Sequence, residues 1–275
     1  MDLKKLGVRA LITFTLGPFI LFCVWKGGYL FLALVLSLVA VGILEFYDLA
    51  AEKVTLPQRG LGLAGGIGLC LLFYFTQWQH VGLLFAAVVV ASLLFELFRN
   101  QVGPILNVSV TLTGLLYVAF LLGFLILIRE LPREVGLPYG VGAQLVTLLL
   151  LSIWLCDTAA YLFGSRFGRH KLFERVSPNK TVEGTLFGFA FAVLTAYACQ
   201  RTFAGDVPLT AALVIGAVCG SVGQVSDLVE SLFKRDARVK DSSDLIPGHG
   251  GVLDRFDSEM LVAPVAYFYL KLAMG

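Results

Sequence analysis

The sequence predicts an all-α, polytopic integral membrane protein with about nine transmembrane helices and a cytoplasmic N-terminus. Three observations lead to this prediction: the composition, the spacing of the apolar segments and the distribution of the cations. Of the 275 residues, 58% are hydrophobic and 15% are charged, and the mean hydropathy is +0.85. A water-soluble core cannot absorb that apolar excess. The net charge of +2 gives no reason to expect a nucleic-acid partner.

The apolar segments have the length that a bilayer requires, about 20 residues per helix. The first follows the basic stretch MDLKKLGVR, and no small-x-small cleavage site follows it, so we expect a retained helix and not a cleaved signal peptide. The candidate helices run over 10–25, 29–50, 61–79, 81–98, 105–129, 141–163, 182–204, 209–232 and 253–274. Residues 1–140 are expected to serve lipid access, packing or dimerisation, and residues 141–275 to form the catalytic region.

The lysines and arginines set the expected orientation, because cytoplasmic loops carry an excess of cations. With the N-terminus in the cytoplasm, sixteen of the 21 cations lie in cytoplasmic segments. The external ones are Lys26, Arg129, Arg133, Arg201 and Lys271. This orientation places both long polar loops, 164–181 and 233–252, on the cytoplasmic face.

The five cysteines are isolated within apolar segments. No CxxC or Cys/His spacing suggests a zinc site or a disulfide framework, so we expect buried structural thiols.

The segment Ser231–Asp257, which we call the signature segment, reads SLFKRDARVKDSSDLIPGHGGVLDRFD. Four cations come first, a Pro-Gly-His-Gly-Gly turn follows at 247–251, and Asp254, Arg255 and Asp257 close it. Cations and backbone N–H groups hold phosphate oxygens, and carboxylates hold Mg²⁺. Charge alone leaves a second interpretation equally open, a basic loop that only orients the protein.

The spacing S-x-F-K-R-x4-K-D-x-S-x2-I-P-x-H-G-G-V-x-D-R-F-D resembles the signature of the phosphatidate cytidylyltransferases, also called CDP-diacylglycerol synthases. The resemblance implies an enzyme that makes CDP-diacylglycerol and pyrophosphate from CTP and phosphatidate for phospholipid biosynthesis. It implies a multi-pass protein of the cell inner membrane with its active site facing the cytoplasm. Its partners would be CTP, phosphatidate and membrane lipids, without nucleic acid. Mg²⁺ is the implied cofactor, and a second cation and a homodimer are left open.

The eighth apolar segment carries a stripe of small and polar residues at helical spacing. Its members are Gly216, Gly220, Gly223, Asp227, Glu230, Ser231 and Lys234. Small residues let a neighbouring helix approach closely, so Asp227 is expected to face other helices. A packing seam with one capping acid is the alternative. In the resembled family, aspartates at the positions of Asp227 and Asp254 are implicated in metal binding.

A second run, Ser177-Pro-Asn-Lys-Thr-Val-Glu-Gly184, looks like the same family. Physically it is a helix start, because Thr181 can cap and Glu183 suits the first turn. Capping alone would explain both residues. Lys180 opposes the helix dipole there, so we expect it to contact phosphate.

These patterns assign the following site residues. The catalytic group is Asp227, Asp254, Lys240, Lys234 and Arg235; the substrate-binding group is Lys180, Asn179, Ser231, His249, Gly250, Gly251, Arg255 and Asp157; and the metal ligands are Asp227, Asp254 and Asp257. Glu96 is expected to pair with Arg99 one turn away. For Glu45 and Asp48, an interfacial position and a polar cavity are equally open.

Three alternatives compete with this function. A CDP-archaeol synthase and a CTP-dependent polyprenol kinase differ in the lipid pocket, which apolar helices do not reveal. An ion-coupled transporter would use the buried acids, but it predicts inverted repeats and broken helices in both halves. Here the polar chemistry is concentrated in the second half.

Overall fold

The fold is described from a computed structural model that covers residues 3–51, 55–245 and 250–275, with side chains from residue 15 onward. The expected turn at 247–251 lies partly outside these ranges, and with it the substrate-binding role assigned to His249. The helices are α1 Leu3–Lys26, α2 Gly28–Ala51, α3 Arg59–Tyr74, α4 Val81–Arg99, α5 Pro104–Gly114, α6 Leu121–Val135, α7 Gly140–Phe167, α8 Val182–Thr202, α9 Leu209–Asp236 and α10 Leu253–Met274.

The all-α, membrane-spanning class is confirmed. Within the described ranges, six helical segments are long and apolar enough to cross a bilayer, among them the continuous segment Pro104–Val135. That segment joins α5 to α6 through a π-helical stretch, Leu115–Phe120. The helical segments lie where the apolar pattern predicted them. The count of nine spans and the orientation of the N-terminus stay predictions.

The chain forms two compact units that interleave along the sequence. The first holds the described residues up to Leu127 together with Asp236–Phe256, and the second holds Ile128–Arg235 together with Asp257–Gly275. The signature segment therefore contributes to both units.

The first unit is held together by close contacts between α2, α3 and the α5 segment. Tyr47 is fully buried and donates a hydrogen bond to the carbonyl of Thr111 at 2.8 Å. Glycines make room for its ring, since a Cβ at Gly62 would lie 1.9 Å from the Tyr47 hydroxyl. Buried Glu96 accepts hydrogen bonds from Gln58 Nε2 at 2.9 Å and Asn107 Nδ2 at 2.7 Å. Satisfying its oxygens in this way is what makes a buried acid tolerable.

The second unit confirms the predicted glycine seam. A Cβ at Gly216 would lie 2.7 Å from the Ala196 methyl, and one at Gly220 would lie 2.8 Å from the Phe189 Cα, so α9 packs directly on α8. Gly223 faces α10 instead, near Val262 and Ser258. The small residues thus let three helices approach closely around the position of Asp227.

A β-hairpin connects α7 to α8, which the sequence did not predict. Its strands, β1 Lys171–Phe173 and β2 Ser177–Thr181, pair antiparallel. The expected helix start is confirmed, because the Thr181 hydroxyl accepts a hydrogen bond from the Gly184 N–H at 3.2 Å. All five cysteines are buried free thiols, as predicted.

Candidate active site

In the second unit, Asp227 lies on α9 and is half-buried. Its Oδ2 lies 2.5 Å from Lys180 Nζ at the end of β2, and its Oδ1 accepts a hydrogen bond from the Ser231 hydroxyl at 3.3 Å. The structure therefore brings together three residues that the sequence assigned to the site. Lys180 lies beside Asp227 because strand β2 of the hairpin ends next to this part of α9.

The remaining cations of α9 already have protein partners. Lys234 pairs with Glu230 one turn earlier and is buried. Arg235 donates from Nε to the carbonyl of Val176 at 3.2 Å. The first contact lies within α9, and the second ties the end of α9 to the turn of the β-hairpin. The phosphate roles assigned to Lys234 and Arg235 stay predictions.

A cationic cavity of about 500 Å³ lies where α7 ends, a location the sequence did not indicate. It is lined by Arg166, Phe167, Gly168, Arg169, His170 and Glu183. Glu183 organises its wall: Oε2 accepts from the N–H groups of Arg169 and His170, and Oε1 lies 2.6 Å from His170 Nδ1. The first-turn acid predicted for α8 thus fixes the preceding loop. A histidine seven residues before the S-P-x-K-T run gave no signal by itself.

In the first unit, Asp254 lies in the first turn of α10, near the end of the signature segment. Its Oδ2 accepts hydrogen bonds from the Ser242 N–H, the Ser242 hydroxyl and the Gly251 N–H, each at 2.8 Å. Gly250 has a φ of +80°, and a Cβ there would lie 2.5 Å from the same oxygen. A glycine is therefore required at this position for both conformation and space. Lys240 and Arg255 are exposed.

Glu45 on α2 is the residue of this site that the sequence left undecided. It is 4% exposed, and it accepts hydrogen bonds from the N–H groups of Val252 and Leu253 at 2.9 and 2.8 Å. The hydroxyl of Ser243 donates to it at 2.6 Å. A buried polar position is the correct interpretation for Glu45. Asp48 instead lies exposed and pairs with Arg59.

The donor set suits Mg²⁺, which prefers oxygen ligands. The predicted metal ligands Asp227, Asp254 and Asp257 are all carboxylates. Within the described part of the chain, no three His, Cys, Asp or Glu side chains converge in a metal-binding group. Asp157 and Asn179 are exposed.

Sequence comparison decides the family. Residues 7–273 match the profile of the cytidylyltransferase family. This chain belongs to the cytidylyltransferase family. A phosphatidate cytidylyltransferase of Bacillus subtilis (strain 168) is 34% identical over 287 residues, covering 99% of each chain. One from Synechocystis is 32% identical over 272 residues, covering 90% of each. One from Staphylococcus saprophyticus is 43% identical over 144 residues, covering 52% of each.

The contacts in the structure separate these predicted residues into two groups. One is Lys180, Asp227 and Ser231 in the second unit, and the other is Gly250, Gly251 and Asp254 in the first. Each group is ordered by contacts within its own unit. The two groups contain both the carboxylates that the sequence assigned to metal and a cation that it assigned to phosphate.

Proposed function

We propose that this membrane enzyme transfers the cytidylyl group of CTP to phosphatidate, giving CDP-diacylglycerol and pyrophosphate for phospholipid biosynthesis. The observation that carries it is the match over nearly the whole chain to relatives named phosphatidate cytidylyltransferase. The ordered carboxylate of Asp254 and the Lys180–Asp227 pair support it.

The reaction needs charge compensation more than a strong base, because the phosphatidate phosphate is already an anionic nucleophile. Its oxygen forms a bond to the α-phosphorus of CTP, and the bond from that phosphorus to the bridging oxygen of the β-phosphate breaks. The electron pair leaves with pyrophosphate. Bound Mg²⁺ would neutralise charge at the α-phosphate and on the leaving group, held by Asp227, Asp254 and Asp257.

The cations of the chain have complementary tasks in this scheme. Lys180 would exchange its contact with Asp227 for a contact with phosphate. Its position 2.5 Å from the Asp227 carboxylate would hold the cation in place until substrate arrives. Exposed Lys240 would meet the phosphates of the incoming nucleotide, helped by Lys234 and Arg235. Gly250 and Gly251 allow a close approach of the loop backbone.

The position of the label that enters lipid tests this function against its nearest rivals. We expect purified protein to move the α-phosphate of CTP, but not the γ-phosphate, into lipid when phosphatidate is supplied. Entry of the γ-phosphate into a polyprenol would instead identify a kinase. Parallel reactions with an archaeal ether lipid test the acceptor, and a clear preference for that lipid over phosphatidate would refute the proposed substrate.

We further propose an inner-membrane location with nine spans, the N-terminus inside and both polar loops cytoplasmic, because a nucleotide donor is found in the cytosol. In a cysteine-free variant, single cysteines at the exposed positions Ser165 and Asp241 should resist an impermeant maleimide on intact cells and react after permeabilisation. A cysteine at exposed Gly205, on the opposite side in this topology, is the matched control and should react at once. Labelling of Ser165→Cys or Asp241→Cys from outside contradicts the orientation.

A further inference from the structure

Glu45 is a buried carboxylate with no role in the chemistry described so far. It lies in the last two turns of the apolar helix α2, about 200 residues before the loop that it contacts, and is 4% exposed. A charged or polar group in such a place is costly unless hydrogen bonds satisfy it. Its oxygens are satisfied by the signature segment, through the Ser243 hydroxyl and the N–H groups of Val252 and Leu253.

Consecutive backbone amides link Glu45 to Asp254. The N–H of Gly251 points to Asp254 Oδ2, and the next two, of Val252 and Leu253, point to Glu45. The Ser242 hydroxyl lies 2.8 Å from Asp254 and 3.3 Å from Glu45, so its single proton serves one carboxylate at a time. The two acids therefore share one hydrogen-bonded turn, and moving that turn moves Asp254.

Both oxygens of Glu45 are needed for this arrangement. Oε1 accepts from Val252 N–H and the Ser243 hydroxyl, while Oε2 accepts from Leu253 N–H. A glutamine would turn an NH₂ group toward one of the two backbone N–H donors, because an amide accepts through its oxygen alone. If Glu45 only filled a polar space, glutamine could replace it. Because both carboxylate oxygens are needed as acceptors, we expect glutamine to fail.

We propose that Glu45 is a positioning residue for cytidylyl transfer, holding the last turn of the signature segment against α2 and thereby fixing the orientation of Asp254. The kinetic half of this inference rests on the proposed function. The structural half, that Glu45 holds the turn, stands on the hydrogen bonds alone.

The test compares Glu45→Gln with wild type in two measurements on the full-length protein. Hydrogen exchange at the amides of Gly251, Val252 and Leu253 should speed up. The kcat should fall about 10- to 100-fold, as is typical when a residue that orients a ligand is replaced, while KM for CTP changes less than about 3-fold. Ser243→Ala removes a single donor to Glu45 and should shift both readouts in the same direction by less, which keeps the test usable if Glu45→Gln folds poorly.

Two controls separate positioning from general destabilisation. Glu96→Gln removes the other well-bonded buried acid of the first unit, and should lower thermal stability while leaving kcat and exchange at 251–253 unchanged. Asp48→Asn removes an exposed charge from the same helix and should change neither. Unchanged exchange in Glu45→Gln and Ser243→Ala would overturn the inference, as would faster exchange with normal kcat. If wild type transfers no cytidylyl group, the proposed function fails, and the exchange measurement still decides whether Glu45 holds the turn.

Discussion

Asparagine in place of Asp227 or Asp254 is expected to reduce cytidylyl transfer about 1,000-fold in each single variant, with the double variant little worse than either. The substitution keeps the size of the side chain and removes its charge. Both carboxylates are assigned to holding Mg²⁺ for the same chemical step. Losses that fall on one step do not add, because the first removal already abolishes what the second would weaken.

The local contacts predict what else each variant changes. In Asp227→Asn, Lys180 loses the anion that lies 2.5 Å from its Nζ, so substrate contact by Lys180 should weaken too. In Asp254→Asn, the amide oxygen can still accept from Gly251 N–H, so the turn should be kept. We therefore expect Asp254→Asn to be the cleaner test of lost charge.

The measurement is initial velocity with α-labelled CTP over a range of Mg²⁺ concentrations. Asp206→Asn, which removes an exposed acid bonded to Gln144 in the loop between α8 and α9, is the matched control and should behave as wild type. Chelation of Mg²⁺ should stop the wild type. A single variant that keeps most of its activity at limiting Mg²⁺ would refute the metal role of that aspartate, and losses that multiply in the double variant would refute their action on one step.

Local chemistry explains which parts of the fold were predictable from the sequence. The apolar segments predicted the helix ends to within seven residues, because bilayer thickness sets helix length. The glycine stripe on α9 predicted a seam, and Gly216 and Gly220 do contact α8. The Thr181 cap and the Glu96–Arg99 pair, 3.8 Å apart, depend on residues three positions away and were equally visible.

What the sequence could not supply are contacts between distant segments. Glu45 and Val252 are 207 residues apart, and the apolar pattern around Glu45 is compatible with either an interfacial or a cavity position. The hairpin β1–β2 was missed because its strands are three and five residues long and mostly polar, too short for an alternating pattern to stand out. His170 became interpretable only when that hairpin set it beside Glu183.

Two buried acids, Glu45 and Glu96, also show what could not be predicted from the sequence. Glu96 and Glu45 look alike in sequence, each a carboxylate near the end of an apolar helix. Glu96 stabilises its own unit through Gln58 and Asn107, whereas Glu45 binds the signature segment. Only the partners distinguish a structural acid from one that touches the candidate site, and partners are a property of the fold.

Gly251→Ala is expected to reduce cytidylyl transfer about 100-fold, because a small misplacement of a reacting group can cost that much. A Cβ at this position would lie 2.1 Å from the Ser242 hydroxyl oxygen and 2.6 Å from both carboxylate oxygens of Glu45. These atoms belong to side chains, so the fold can admit the methyl group. It can do so only by pushing Glu45 and Ser242 off the hydrogen bonds that hold the turn and Asp254.

The matched control is Gly82→Ala, a helical glycine of the same unit where a Cβ would meet nothing within 4 Å. It should leave activity unchanged and stabilise α4 slightly, since alanine is the better helix former. Activity is measured with α-labelled CTP, and thermal unfolding shows whether Gly251→Ala is still folded. If the methyl acts by displacing Glu45, the double variant with Glu45→Gln should be no slower than Gly251→Ala alone. Near-normal kcat in a folded Gly251→Ala protein would mean that the close approach of Gly251 to Glu45 and Ser242 is not needed for transfer.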